Sequence, residues 1–304
     1  MRVLLIAGGW SKEREVSLSG ALEIQRALEY LGHEIIFLDL SPDYAHLVKL
    51  AGEADVAFIN LHGCPGEDGS IQALLDDVGM PYQGSGPRGS FLALNKALSK
   101  QIFSNHSLPT PEGSLVFAGA KTGEIPGPPV ICKPNLGGSS LDMHIFTARE
   151  KLNKHLLLLP ENKEFLVEKF IQGREISCAV LDDTALAPIL IKPRKGDFFD
   201  YRSKYDPDGA EELCPAPIGP KLIQEVRNLA LKAHRILGLR HYSRTDFMLD
   251  DTDNLFVLEI NTLPGMTRNS LVPMAVREAG LEFADLIAKL LAMALNSKTK
   301  EVTG

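Results

Sequence analysis

An α/β fold opening on a largely parallel sheet is what the sequence predicts, and three observations predict it. Short apolar runs at Val3–Ala7, Ile35–Leu38 and Val56–Ile59 read as strands. Between the first two, Ala21, Ile24, Leu28 and Leu31 recur at helical spacing on one face, and Gly32 closes that helix as C′ glycines do. The resulting order β-α-β-α-β belongs to open, mostly parallel sheets, whose ligands sit at the carboxyl ends of the strands. Further on, Phe247–Leu249 and Leu255–Leu258 flank a turn-rich Asp250–Asn254, the pattern of a β-hairpin, so antiparallel pairing is expected in the later part of the chain.

The first strand ends in Gly8-Gly9-Trp10-Ser11, which lacks the G-x-G-x-x-G spacing of dinucleotide sites. A charged loop, Lys12-Glu13-Arg14-Glu15, follows, and the helix is expected to start near Ser17. Glu13 or Glu15 is placed either to meet a substrate ammonium or to favour the positive end of the helix dipole. The third strand runs into Asn60–Gly69, where glycines and a proline surround His62, a loop at a strand's carboxyl end. Gly84–Ser90 reads as a linker and Leu92–Ile102 as a helix carrying Lys96.

Pro129–Ile131 is strand-like and leads into Cys132-Lys133-Pro134-Asn135-Leu136-Gly137-Gly138-Ser139-Ser140. A lysine at a strand end before glycines and hydroxyls suits a phosphate: the glycines admit backbone N–H groups and the ammonium neutralises charge. The spacing is not that of a Walker loop. Phe165–Ile171 is a strand ending at Gln172-Gly173-Arg174-Glu175, and Ile176–Leu181 with Ala185–Ile191 forms a hairpin about Asp182-Asp183. Lys192–Gly209 is polar and studded with aromatics, as lid loops are. Helices are expected over 221–237 and, with Phe283, Leu286, Ile287, Leu290 and Leu291 inward, at the C-terminal end.

Within the late hairpin, Glu259 and Asn261 leave one face of the second strand, Arg244 and Asp246 are likewise two apart in the first, and folding near Thr252 sets Asp246 opposite Glu259. Adjacent carboxylates repel unless a cation or proton lies between them. Hard oxygen ligands without sulfur or imidazole suit Mg²⁺, which takes its remaining oxygens from water and phosphate. A Pro264-Gly265 turn after the strand aims backbone N–H groups at its end.

Composition narrows the class. The chain has 304 residues, 44% of them hydrophobic, and a net charge of −7, which argues against a general nucleic-acid binder. Its 4 cysteines lack C-x-x-C spacing, so neither a zinc site nor a disulfide framework is suggested. No apolar run approaches the ~20 residues of a membrane span. A cytoplasmic protein with no membrane partner is expected.

Taken together, GGWSKEREVSLSG, LHGCPGEDGSIQALL, PYQGSG, NKALSK, KPNLGGSS, VEKFIQGREI, FFDYRSKY, RTDFMLDD and LEINTLPGMTRNSLVP resemble the D-alanine–D-alanine ligases of the ATP-grasp superfamily, over essentially the whole chain. The resemblance implies a Rossmann-like N-terminal α/β domain (1–90) and a two-subdomain α+β ATP-grasp fold. Its central subdomain would span 91–170, and its C-terminal subdomain, with lid and metal site, 171–304. It implies ADP-forming ligation of two D-alanines through an acyl phosphate, for peptidoglycan precursors, with ATP and Mg²⁺ (or Mn²⁺), by a cytoplasmic homodimer.

By the same resemblance, Asp246, Glu259 and Asn261 are the metal ligands, and Lys96 and Lys133 lie on the ATP phosphates. Glu168, Lys169 and Ile171 fall at the adenine, and Glu175 at the ribose. Glu13 takes the first substrate's ammonium and forms a lid-closing triad with Ser139 and Tyr205. Lys204 reaches the transferred phosphate and His62 the first substrate's carboxyl. Arg244 and the Gly265 backbone stabilise the oxyanion, and Ser270 binds the second carboxylate. Tyr205 resembles the amide-forming members, so D-alanine is expected at both sites. Departures from the family pattern fall at Trp10, Asn135–Gly137, Asp142, Leu263 and Arg268-Asn269. Another ATP-grasp carboxylate–amine ligase and a nucleotide binder without catalysis are the competing readings.

Overall fold

The computed structural model describes residues 1–117, 125–138, 142–159, 163–194 and 209–301. Its first sheet is parallel, in the order β2-β1-β3, from β1 (Arg2–Gly8), β2 (Glu34–Leu40) and β3 (Val56–Ile59). Val3 to Ala7 of β1 are fully buried, which is why this strand reads as an unbroken apolar run. Helix α1 (Arg14–Tyr30) follows β1 and buries Ala21, Ile24 and Leu28; α2 (Tyr44–Ala51) and α3 (Ser70–Asp77) complete this part. The expected start of α1 near Ser17 is three residues late. Arg14 and Glu15 form its first turn, where Arg14 makes a two-pronged ion pair with Asp39, at 2.7 and 2.6 Å.

The stretch expected to be a linker is partly helical. Gly84–Gly86 is irregular, but Pro87, pre-set for a first helical turn, opens α4 (Pro87–Leu94). The single helix expected over Leu92–Ile102 is broken at Asn95. That residue has extended backbone and caps α5 (Lys96–Asn105) by accepting from the Leu98 N–H at 3.1 Å.

Two antiparallel sheets follow. The first has the order β4-β7-β5-β6, from β4 (Gly113–Phe117), β5 (Val130–Pro134), β6 (His144–Phe146) and β7 (Glu164–Lys169). Helix α6 (Arg149–Leu158) covers one face, closing a small core of Val130, Cys132, Val167 and Leu152. The larger sheet runs β11-β10-β8-β12-β13, with β9 paired to β8. It comprises β8 (Gly173–Leu181), β9 (Thr184–Ala185), β10 (Ile189–Pro193), β11 (Ala210–Leu213), β12 (Tyr242–Asp250) and β13 (Leu255–Asn261). Asp182 and Asp183, both at positive φ, make the expected turn after β8. Helix α7 (Pro220–Ile236) packs Val226, Ala230 and Ala233 on Ile176, Phe247 and Val257 of this sheet.

Helix α8 (Leu271–Glu278) and helix α9 (Phe283–Glu301) end the described chain. Helix α9 returns to pack on α1 and β3, so Leu286, Ile287 and Leu290 share one core with Val3–Ala7. No described helix is long and apolar enough to cross a membrane.

Candidate active site

Between the two antiparallel sheets lies a cleft of about 900 Å³. Its walls alternate faces as strands dictate. On β12, Arg244, Asp246 and Met248 turn one way, while Thr245, Phe247 and Leu249 are buried on the other. On β5 and β7, Lys133 and Glu168 are diagonal neighbours of a pairing that sets Lys133 opposite Leu166 and Ile131 opposite Glu168.

The expected opposition of Asp246 and Glu259 is present in the β12–β13 register, and Arg244 faces Asn261. The register then shifts, because Phe247 pairs with Val257 and leaves Leu258 as an extra residue. Through this bulge both Leu258 and Glu259 border the cleft.

Asp246 is 3% exposed and saturated with donors. Its Oδ1 accepts from Ser177 Oγ at 2.7 Å and Arg244 Nε at 2.9 Å, and its Oδ2 from Arg244 Nη2 at 2.7 Å and Asn261 Nδ2 at 3.1 Å. Glu259 Oε2 is 3.4 Å from Lys96 Nζ, and Lys96 also donates to the Gly137 carbonyl. Two carboxylates and a carboxamide on paired strands form a donor set that fits a hard divalent cation, with Arg244 and Lys96 balancing the carboxylates here.

Lys96 and Lys133 are brought together by a residue whose role no sequence motif reveals. Asn135 is fully buried. Its Oδ1 accepts from the Ala97 N–H at 2.8 Å, and its Nδ2 donates to Asn95 Oδ1 at 3.1 Å and to Glu164 Oε2 at 2.6 Å. The start of α5 is thereby tied to the end of β5, which fixes two lysines that are distant in sequence.

Glu168, assigned by resemblance to the adenine, has both oxygens on ammoniums: Lys133 at 2.7 Å and Lys100 at 2.8 Å. Burial opposes its charge, but the two lysines outweigh that and hold its carboxyl below the ordinary range. Burial likewise works against the Lys133 ammonium, and Glu168, Glu259 and Glu175 overcome it and raise its pKa. Lys169, Ile171 and Glu175 border the cleft beyond Glu168.

Toward the parallel sheet, Glu13 immediately precedes α1, is 8% exposed and makes no cap with its side chain. The helix-dipole role falls to Glu15 in the first turn. The Glu13 carboxylate is so close to two loops that a Cβ at Gly138 would lie 3.3 Å from its Oε2, and one at Gly63 3.6 Å. His62 Nδ1 is 3.1 Å from the Leu263 carbonyl, which can only accept, so the proton is on Nδ1. His62 Nε2 is buried and has no partner among the described residues. Burial depresses its pKa, so the ring is neutral.

Glu67 escapes sequence reasoning, being one acid in a glycine-rich loop. It accepts from the Gly63 N–H at 2.7 Å, and burial together with the Glu13 charge pushes its pKa up to about 7. With Lys96, Glu259 and Asn261 it borders a second, smaller cavity.

The loop after β13 carries Gly265 and Ser270. Ser270 Oγ accepts from the Thr267 N–H at 3.2 Å, and a Cβ on Gly265 would lie 2.9 Å from that oxygen, so only glycine fits this approach. Ser139, Lys204 and Tyr205 lie outside the described residues, as do residues 195–208 of the expected lid, Lys192–Gly209.

Comparison with known proteins agrees with this geometry. Residues 43–85 match the family model described as D-ala D-ala ligase N-terminus, and residues 119–292 that described as D-ala D-ala ligase C-terminus. A D-alanine–D-alanine ligase of Nitratidesulfovibrio vulgaris is 51% identical over 300 residues, covering 98% of this chain and 99% of the relative. One from Lawsonia intracellularis is 46% identical over 303 residues, covering 99% and 100%. The crystal structure of the Bacillus anthracis D-alanine–D-alanine ligase complexed with ATP superposes with a TM-score of 0.87 at 30% identity, covering 99% of both chains. The fold seen here is therefore the ATP-grasp fold of those structures, and the chain belongs to the D-alanine–D-alanine ligase family.

Proposed function

We propose that this chain joins two D-alanines at the expense of ATP, releasing ADP and phosphate and supplying D-alanyl-D-alanine for peptidoglycan precursors. One observation carries the reading. Lys96, Lys133 and the facing Asp246 and Glu259 border one cleft together with Glu13, and the buried His62, its Nε2 without a partner among the described residues, lies within reach of the Glu13 charge.

A carboxylate is a poor electrophile, so the first D-alanine must be activated, and phosphorylation gives it a leaving group. Glu13 would hold that substrate's ammonium, with His62 beside its carboxyl. The Lys96 and Lys133 ammoniums would meet the ATP phosphates, with adenine against Lys169 and Ile171, above Glu168, and the ribose at Glu175. Asp246, Glu259 and Asn261 would hold Mg²⁺, with Mn²⁺ as a substitute; when bound, the ion screens phosphate charge and orients the transfer. The amine of the second D-alanine, its carboxylate on Ser270, would attack the acyl phosphate. Arg244 and the Gly265 N–H would stabilise the oxyanion of the tetrahedral intermediate. Ser139, Tyr205 and Lys204 would complete closure over the first substrate and the transferred phosphate.

The division into 1–90, 91–170 and 171–304 is supported by the sheets, since each sheet's strands fall within one of these ranges. Consumption of ATP supports a cytoplasmic location. Association into a homodimer is carried by the family alone, and sedimentation of the purified chain tests it.

The decisive assay is phosphate release from ATP and Mg²⁺ with D-alanine, against L-alanine and no amino acid, with the product identified by mass. Release confined to D-alanine, with the D-alanyl-D-alanine mass, is expected. Release with a different amino acid would keep a ligase and discard this substrate; no release with any amino acid, from protein that binds ATP, would overturn the enzymatic reading.

A further inference from the structure

Beneath the cleft, one carboxylate is shared by two ammoniums. Glu168 is 1% exposed, with Oε1 at 2.7 Å from Lys133 Nζ and Oε2 at 2.8 Å from Lys100 Nζ. The two lysines are not equivalent. Lys133 stands on the cleft face of β5 and borders the cavity, whereas Lys100 does not. Lys100 comes from α5, one turn beyond Lys96, and its other partners are Thr110 Oγ1 at 2.9 Å and the Val257 carbonyl at 3.5 Å. Both are protein atoms that hold its ammonium in place.

One lysine would neutralise Glu168, so the second ammonium is surplus to that carboxylate. The surplus matters when Lys133 turns toward phosphate. A buried carboxylate abandoned by its counter-ion is costly, and that cost would be subtracted from nucleotide affinity. In effect Glu168 would hold Lys133 back. With Lys100 fixed at its other oxygen, Glu168 stays paired whichever way Lys133 points. We propose that Lys100 is a positioning residue for the nucleotide: it is the resident counter-ion of Glu168 and releases Lys133 to bind phosphate.

Charge states agree with this assignment. Burial lowers the Lys100 pKa to about 8, against the pull of Glu168, which leaves the side chain mostly protonated at neutral pH. Glu168 is held ionised by both lysines. The inference rests on the reading of Lys133 as a phosphate ligand, and the test separates the two.

The test is equilibrium binding of ADP with Mg²⁺, and of adenosine, to the full chain and to its Lys100→Met, Lys100→Arg, Lys133→Met, Glu168→Gln and Lys100→Met/Glu168→Gln variants. Adenosine lacks phosphate and serves as the internal control for an intact cleft. Lys100→Met is expected to weaken ADP by about tenfold or more, equivalent to about 1.4 kcal/mol, and to leave adenosine unchanged. Lys100→Arg should restore most of the ADP affinity. In the Glu168→Gln background no carboxylate retains Lys133, so adding Lys100→Met should cost ADP nothing further. If Lys100→Met does not fold, Lys100→Gln, which keeps a donor without the charge, should give the same phosphate-selective loss.

Equal losses for ADP and adenosine would reduce Lys100 to packing and overturn the inference. So would a loss of the same size in the Glu168→Gln background. Weaker ADP binding by Lys133→Met alone, with Lys100→Met indistinguishable from the parent, would overturn the inference and leave the phosphate reading standing. Unchanged ADP binding by Lys133→Met would overturn that reading, and the inference with it.

Discussion

The two ends of the cleft treat charge in opposite ways. At the strand end three carboxylates each have a cation from the chain: Asp246 has Arg244, Glu259 has Lys96, and Glu168 has Lys100 and Lys133. Nearer the parallel sheet, Glu13 on the cleft and Glu67 on the smaller cavity beside it lie close enough for Glu13 to raise the Glu67 pKa, next to a neutral His62 whose Nε2 has no partner among the described residues. The first end is suited to exchanging ions, since phosphates and a metal can replace internal pairs one for one. At the second, burial and the Glu13 charge outweigh the pull of Lys96 and Arg244 on Glu67, and a carboxylate such as Glu13 suits an incoming ammonium. A ligase for amino acids requires both, because ATP brings negative charge and the amino acid brings a positive one.

This comparison breaks most decisively at Arg244. Its fork grips Asp246 through both oxygens, and its proposed partner during turnover is the oxyanion. Arg244→Ala removes both functions, and kcat for ligation is expected to fall by about 10²- to 10³-fold, the usual effect of losing one oxyanion donor. Arg244→Lys should recover only part of this, because an ammonium lacks the planar fork. A kcat within about threefold of the parent for Arg244→Ala would mean that the paired end is structural and that the chemistry lies elsewhere.

The N-terminal end makes an effect of the next size at Glu67. In the folded chain its pKa is about 7 against an ordinary 4.5, so the fold binds a proton that the unfolded chain releases between those values. The stability tied to that proton is complete below the lower value and is lost as pH rises through the upper one. The shift corresponds to something on the order of 3 kcal/mol by pH 8. Glu67→Gln keeps an acceptor for the Gly63 N–H without the titration. Its melting temperature, relative to the parent, is expected to climb between pH 5 and pH 8. A constant difference across that range would show that Glu67 carries no excess charge and that the two ends are alike.

The sequence exposes these regions unequally, for physical reasons. The register of β12 and β13 is legible because side chains alternate with a period of two, so spacing alone places Arg244, Asp246, Glu259 and Asn261 on one face. The Leu258 bulge is not legible, since one inserted residue leaves no mark in composition. The parallel sheet announces itself through unbroken apolar runs. The α4–α5 break is hidden because Gly, Ser and Pro resemble a linker, although Pro87 at a first turn and Asn95 at a cap are both available as signals. Lys100, Glu67 and Asn135 escape notice as site residues for a different reason. Each acts through a partner dozens of residues away in sequence or hidden beneath the cleft, and no local pattern reports that.

At the mouth of the cleft the contrast should be weakest. Lys12, just before Glu13, reaches Asp142 on the opposite wall at 3.0 Å, with side chains 69% and 62% exposed. Asp142 stands at φ 58, a left-handed conformation that aspartate tolerates better than most residues and glycine best of all. Exposed pairs of this kind couple by about 0–1 kcal/mol and are screened by salt. A double-mutant cycle of Lys12→Ala and Asp142→Asn, read as kcat/KM for D-alanine, is therefore expected to give a coupling below about 1 kcal/mol at low salt and none near 1 M. Asp142→Gly should be milder than Asp142→Asn, because relief of the backbone offsets the lost ion pair. A coupling above about 2 kcal/mol that persisted in salt would place this contact with the buried pairs of the strand end. The mouth would then be part of the ion-exchanging half of the cleft rather than a solvated crossing between its walls.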